Sequence, residues 1–493
     1  MSEGKDTASP KPEAPEAKDE IYTTRHTITL SGQTISYTAL AGTLILKEES
    51  EKKGEAEGES EGEKARAAIF FIAYLRDDVT DSANRPVIFS FNGGPGSSSV
   101  WLHLGLLGPK RVLMDEDGNP SPPPYNLVEN EFSLLDVCDM VFIDPVSTGY
   151  SRPVTGEKAK AFHGFSKDVE SVGNFIRLFV TRYQRWNSPK FLIGESYGTT
   201  RAAGLSGYLQ ERFGMYLNGI ILVSVVLDFS TLLFTPGNDL PYLLFLPTYT
   251  ATAWYHKRLA DDLQADLQKA LREARNFSLG VYASALLKGA DLPAAEEAEI
   301  VQKLAYFTGL SQEYIRRTRL RINIYRFCKE LLRDERRTVG RLDSRFKGID
   351  RDDAGEQFDH DPSLTNILGP YTGTFNDYVR RELEFKSDLP YEILTDKVRP
   401  WSYAEHENKF VNVAETLREA MTSNPFLRVH VANGYYDLAT PFLATEYTIS
   451  HLGLDESLRG NLSLSYYEAG HMMYIHLPSI AKLKRELTGF ILV

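Results

Sequence analysis

Two cysteines in 493 residues, Cys138 and Cys328, are too few for a disulfide framework, and no CxxC or Cys/His cluster is present to hold zinc. They leave one long-range bridge or two buried thiols, the second being the simpler reading. No apolar run is long enough to cross a bilayer: the longest, around 220–227, falls far short of the ~20 residues a spanning helix needs. Residues 1–20 are dominated by Lys, Glu, Pro and Ala and contain no apolar segment, so no signal peptide is visible there. A soluble, cytoplasmic protein is the default expectation, with a secreted or periplasmic one following if a leader has been removed. Positive charge is also in deficit. The formal net charge of −12 argues against a nucleic-acid partner, whose phosphates must be neutralised, and offers no polybasic patch to a membrane surface.

What is present is an ordinary globular composition, 42% hydrophobic and 25% charged, in a chain long enough for a large core. Residues 1–20 read as a disordered, solvated tail. Two β-rich runs at 26–46 and 67–75 flank the Glu-, Gly- and Lys-rich segment 47–64, which reads as a flexible acidic hairpin loop because both flanks favour pairing. From residue 86 short apolar runs alternate with helical patterns. Strands are expected at 86–91, 140–143, 190–193 and 218–227, and helices at 166–183 and 200–213. This alternation calls for a mostly parallel sheet with helices on both faces. Longer helical patterns then take over, at 259–275, 294–308 and 314–336. The sheet pattern resumes only at 426–431. The division that follows is a core over 21–229 and 425–493, interrupted by a mainly helical cap over 230–424.

The chemistry concentrates in four places. GESYG (194–198) fits GxSxG, and it lies between a strand and a helix, the context in which a serine is held on a sharp turn as a nucleophile. A serine nucleophile needs a base, and the base an acid that fixes its tautomer. In the α/β-hydrolase fold these follow in the order Ser, Asp, His. Asp437, in NGYYD after a strand, and His471, in AGHM after a strand and a glycine turn, stand in that order behind Ser196. A lone histidine is ordinarily a satisfied core or surface residue; position and order together single out His471. The glycine-rich FNGGPGSSS (91–99) follows the strand 86–91 and can offer backbone donors to an oxyanion. The donors are assigned to the N–H groups of Gly94 and Tyr197. A phosphate cradle is the alternative for this loop, but no lysine follows at the required spacing.

Together these pieces resemble the serine carboxypeptidase family, in a branch without disulfides. The resemblance rests on NGGPGSSS with Leu107-Gly108-Pro109, on GESYG, GYYD and AGHM, and on Asp144-Pro145 with Thr148-Gly149-Tyr150-Ser151. It implies the α/β-hydrolase fold with a large helical cap and a reaction that removes C-terminal residues from peptides through an acyl-enzyme, with no metal or cofactor. The partner implied is a peptide with a free C-terminal carboxylate. The resemblance further implies that Asn92, Gly93 and Glu195 contact the substrate, Asn92 and Glu195 holding that carboxylate. Two carboxylates share a site only if one is protonated, so Glu195 is expected to carry a raised pKa. Four positions depart from the family pattern: Leu106 stands where a second acid is usual, Ser90 where a tryptophan is usual, Ser97 replaces a cysteine, and Arg201 lies in the stretch after GESY. A carboxylate clamp rewired through Arg201 and His103 is one reading of these changes. A structural salt bridge is the other for Arg201. An esterase or acyltransferase on the same fold is the second reading of function, and an inactive scaffold the third.

Overall fold

A computed structural model describes residues 17–51 and 60–492. Its centre is a ten-stranded sheet. The chain enters through β1 (Glu20–Leu30), β2 (Gln33–Glu51) and β3 (Ser60–Arg76), paired antiparallel. The first β-rich run is therefore two strands, reversed at Ser31 and Gly32, both at positive φ. Residues 1–16 of the expected tail lie outside the described residues, and β1 begins at Glu20 within it. The segment 47–64 also differs from expectation at both ends. Lys47 pairs with Ala65, Glu48 with Lys64 and Ser50 with Gly62, so the ladder continues into it. One ion pair bridges the two strands there, Arg66 to Glu48 at 3.1 Å, while Lys64 meets Glu157 outside the hairpin at 2.9 Å. Within this segment, residues 52–59 lie outside the described residues.

β4 (Val87–Phe91), β5 (Asp139–Ile143), β6 (Lys190–Ser196), β7 (Gly219–Val225), β8 (Arg428–Gly434) and β9 (Leu462–Tyr467) complete the sheet in the order β1-β2-β3-β5-β4-β6-β7-β8-β9. The short strand Arg152–Pro153 pairs with β3 off this path. From β5 to β9 all neighbours are parallel. Successive side chains point to opposite faces. Val87, Phe89, Phe91, Leu192, Ile220 and Leu222 enter one apolar layer with α1 (Phe165–Arg182) and α2 (Tyr197–Phe213). Ile88, Ile193, Ile221 and Val223 enter the other. Strands buried on both sides must read as continuous apolar runs, as these do. In α1 the apolar stripe of Val172, Phe175, Ile176 and Phe179 is fully buried, each side chain contributing about 1.5–3 kcal/mol.

After β7 the chain builds a separate apolar cluster around α3 (Leu246–Tyr255), α4 (Leu267–Phe277) and α5 (Ala294–Thr308). Tyr249 stacks on Phe327 at 4.1 Å and donates its hydroxyl to the Ile322 carbonyl, so it packs this cluster. The helix expected over 314–336 is broken into short pieces. Arg319 and Leu320 take positive φ, and Asn323 starts a new helix by accepting from the Tyr325 N–H. The expected cap boundary also shifts. α6 (Pro362–Arg381) buries Ile367, Tyr371 and Phe375 in the layer beneath the sheet, and α7 (Ala414–Ser423) packs Leu417 and Met421 with α2 in the opposite layer. The closing helix α8 (Leu477–Leu492) covers the face that holds Ile88. Cys138 and Cys328 are free and buried. Among the described residues no helix is long and apolar enough to cross a membrane.

Candidate active site

β6 ends in a turn that both flanking glycines make possible. Ser196 sits at φ +60°, ψ −130°, a region that costs a side-chain-bearing residue about 1–3 kcal/mol. A Cβ at Gly194 would lie 2.1 Å from the Gly198 carbonyl oxygen, and one at Gly198 2.8 Å from that of Phe91. Close packing of strand, turn and helix thus requires glycine on either side of the serine. Tyr197 opens α2, where backbone N–H groups have no intrahelical acceptor.

The turn after β4 runs against this elbow. A Cβ at Gly93 would stand 2.5 Å from the Tyr197 nitrogen, and Gly94 holds φ +105°. Ser99 secures the turn from below: its N–H and hydroxyl donate to Asp144 Oδ1 at 2.8 and 2.9 Å. A Cβ at Gly149 would fall on Asp144 Oδ2, which accounts for a glycine there. The Asp-Pro and Thr-Gly-Tyr-Ser motifs are therefore a foundation for the glycine-rich turn.

Asp437 follows β8 and His471 follows β9. The His471 Nδ1–H donates to Asp437 Oδ2 at 2.7 Å, leaving Nε2 as the unprotonated nitrogen. Asp437 also accepts from the N–H of Ala439 (2.8 Å), the N–H of Thr440 (3.0 Å) and the Thr440 hydroxyl (2.6 Å). Burial pulls the His471 pKa down, but the Asp437 charge, its hydrogen bond and the charge of Glu195 outweigh it, so the imidazole ends above its ordinary value. Ser196 and His471 line one cavity of about 560 Å³ together with Asn92, Gly93, Gly94 and Glu195. No direct hydrogen bond joins the serine hydroxyl to the ring; such bonds tighten on substrate binding.

A segment of the insertion holds both of these loops. The Leu438 N–H donates to the Arg341 carbonyl at 3.0 Å, and the His471 N–H to the Leu342 carbonyl at 2.7 Å. The Gly470 N–H donates to Asp343 Oδ2 at 3.0 Å, while Ser344 donates its N–H and hydroxyl to the Tyr436 carbonyl. Asp343 is itself fixed by buried Arg345 at 2.7 Å. From the other side, the Ser224 hydroxyl donates to the His471 carbonyl at 2.6 Å.

Glu195 is buried beside the nucleophile. Asn92 Nδ2–H donates to Oε1 at 3.0 Å and the Tyr474 hydroxyl to Oε2 at 2.5 Å, while Asn92 Oδ1 accepts from the Leu102 N–H. Burial raises the Glu195 pKa to about 7, against the lowering pull of His471 and of the Tyr474 hydrogen bond.

Arg201 and His103 do not join this cavity, which corrects the reading of a rewired clamp. Arg201 is buried, donating Nε–H to Asp168 Oδ2 at 2.7 Å and Nη1–H to the Asn92 carbonyl at 2.6 Å, with the rings of Phe91 and Tyr197 against its guanidinium. It is a structural ion pair behind the site. His103 bonds the Tyr74 hydroxyl at 2.8 Å, and burial pushes its pKa down to about 3, so it carries no charge to offer an anion. Leu106, in place of a second acid, is fully buried. Tyr474, Thr440, Asp343 and Arg341 escaped the sequence reading. Only Tyr474 and Thr440 left a trace there, each three residues after a triad candidate.

A family model described as serine carboxypeptidase matches residues 59–466. Among curated relatives, serine carboxypeptidase-like 46 of Arabidopsis thaliana is 27% identical over 177 residues, 34% of this chain and 35% of that one. The pheromone-processing carboxypeptidase KEX1 of Saccharomyces cerevisiae is 33% identical over 135 residues, 26% of this chain and 17% of that one. The chain thus spans about a third or less of the length of these relatives. The crystal structure of KEX1(Δ)P, a prohormone-processing carboxypeptidase from the same yeast, superposes with a TM-score of 0.52 at 18% identity, covering 92% of this chain and 91% of that one. That likeness shows the α/β-hydrolase fold.

Proposed function

The chain belongs to the serine carboxypeptidase family, since the matching model spans more than half of it, and on that premise we propose that it removes C-terminal residues from peptides by acyl transfer to Ser196. The Ser196 hydroxyl adds to the scissile carbonyl while His471 Nε2 takes its proton. The oxyanion is received by the N–H groups of Gly94 and Tyr197. The imidazolium then protonates the leaving amine, the C–N bond breaks, and water hydrolyses the acyl-enzyme with His471 again as base. Asp437 keeps the ring in the required tautomer. Gly93 lies against the Tyr197 nitrogen, so Gly93→Ala is expected to lower kcat about 10²- to 10³-fold. Steady-state kinetics on an ester and a peptide check this, and an unchanged kcat removes the Tyr197 donor from the mechanism. The two buried free thiols are compatible with a reducing cytoplasmic setting.

The observation that carries the exopeptidase reading is Glu195, a carboxyl held neutral up to about pH 7 within reach of the nucleophile and bonded to Asn92. When protonated it can donate to a peptide's terminal carboxylate; once ionised it repels it. Its pKa is raised, so carboxylate binding is complete well below pH 7 and fades as pH climbs through that value. His471 acts in the opposite sense, since it must lose its proton to serve as base. For blocked dipeptides with a free carboxylate, KM is expected to rise about tenfold per pH unit above 7. The matching amides and esters escape that limb, and Glu195→Gln flattens it because an amide donor does not ionise. A KM for free acids that stays level to pH 9 would sink the reading.

A further inference from the structure

The cavity that holds Ser196 and His471 contains two arginines, and they differ in one respect. Arg399 is exposed and paired with Asp396 at 2.7 Å. Arg341 is half-buried, and its guanidinium has no carboxylate or carbonyl partner among the described residues. One oxygen of the neighbouring acid, Asp361, is already engaged, and neither oxygen pairs with the Arg341 guanidinium. Its Oδ1 accepts from the backbone N–H of Arg341 at 3.1 Å, from the Ser363 N–H at 3.0 Å and from the Ser363 hydroxyl at 2.5 Å. The main chain of Arg341 is fixed at both ends, by that bond and by the Leu438 N–H on its carbonyl. A rigid stretch of backbone therefore presents a permanent cation to the cavity.

A guanidinium left without an acceptor in the cavity that holds a nucleophile is a receptor for an anion, because its planar fork matches a carboxylate and is less heavily hydrated than an ammonium. The acids of the cavity, Glu195, Asp361 and Asp396, cannot perform that task while ionised, and His471 is engaged with Asp437. We propose that Arg341 holds a carboxylate of the substrate, the chemical class of ligand being a peptide anion. The proposal rests on the reading of this cavity as a peptide site. It also relocates the cationic contact that Arg201 and His103 do not supply. Electrostatics are consistent with it: Arg341 and His471 line the same cavity, and the Arg341 charge is felt at the His471 ring, where it lowers the pKa.

The ligand carboxylate has two sources, the peptide C-terminus and an acidic side chain, and binding to full-length protein separates them. Calorimetry would use Ser196→Ala protein, which cannot turn over, with and without Arg341→Gln. The four probes are N-blocked Phe-Leu, Glu-Leu and the C-terminal amide of each. Arg341→Gln is expected to weaken binding roughly tenfold to a hundredfold wherever the engaged carboxylate is present. Loss on both free acids but neither amide assigns the terminal carboxylate. Loss on both Glu-containing probes, with Phe-Leu unchanged, assigns the side chain. Arg341→Lys, which keeps the charge, should recover part of the affinity. Equal weakening of all four probes, the uncharged Phe-Leu amide included, or no weakening of any, overturns the proposal. Melting temperatures of the variants verify the fold. A wild type that fails to cleave peptides yet binds them through Arg341 would sink the exopeptidase reading and leave this one standing.

Discussion

Ser196→Ala is expected to lower kcat about 10⁶-fold toward peptides and esters alike, and to abolish labelling by a fluorophosphonate probe. The effect follows from where the hydroxyl stands. It occupies a turn that the backbone adopts only under strain, at φ +60° and ψ −130°, on the lining of the shared cavity. Its hydroxyl has no protein partner among the described residues, so removing it breaks no bond that stabilises the fold. The melting temperature should therefore stay essentially unchanged while turnover vanishes. Residual turnover within a hundredfold of the wild type would mean that another group attacks, and the acyl-enzyme assignment would fail.

Asp437→Asn carries the second largest effect, a fall of about 10⁴-fold in kcat. The amide oxygen can still accept from the Ala439 and Thr440 N–H groups at 2.8 and 3.0 Å. The amide nitrogen, itself a donor, then takes the place of Oδ2, which in the wild type accepts from His471 Nδ1 and from the Thr440 hydroxyl. Two donors cannot share a bond. The ring responds by moving its proton to Nε2, the nitrogen that must be free to accept from Ser196. Because the shape at the site hardly changes, KM should move little. Rapid-quench or steady-state kinetics at neutral pH check this, and a loss smaller than tenfold would show that the acid is not what sets the tautomer.

The sheet was legible because its central strands are buried on both faces. Val87, Phe89 and Phe91 look one way and Ile88 the other, so the whole run had to be apolar. The elbow was legible because two glycines are dictated by backbone oxygens 2.1 and 2.8 Å from where a Cβ would be. Nearness in sequence misled elsewhere. Arg201 is four residues along α2 from Tyr197, and one helical turn carries it to the back of the Asn92 turn, where Asp168 neutralises it. Residues 314–336 carry a helical pattern, yet Arg319 and Leu320 interrupt it at positive φ, a backbone choice that apolar spacing does not disclose. Asp343 and Arg341 left no local signature. Their significance lies in contacts with residues about a hundred positions away, at Leu438 and Gly470, which no spacing rule reaches.

The stretch 341–345 has a consequence for how such proteins diversify. Because it clasps the loops bearing Asp437 and His471 through the carbonyls of Arg341 and Leu342 and the carboxylate of Asp343, the helical part of the chain is not an interchangeable hat on an autonomous engine. A chimera that imports this region from a cousin must import a matching clasp or forfeit turnover. New selectivity is therefore reached more readily by small edits to its inner wall than by wholesale exchange.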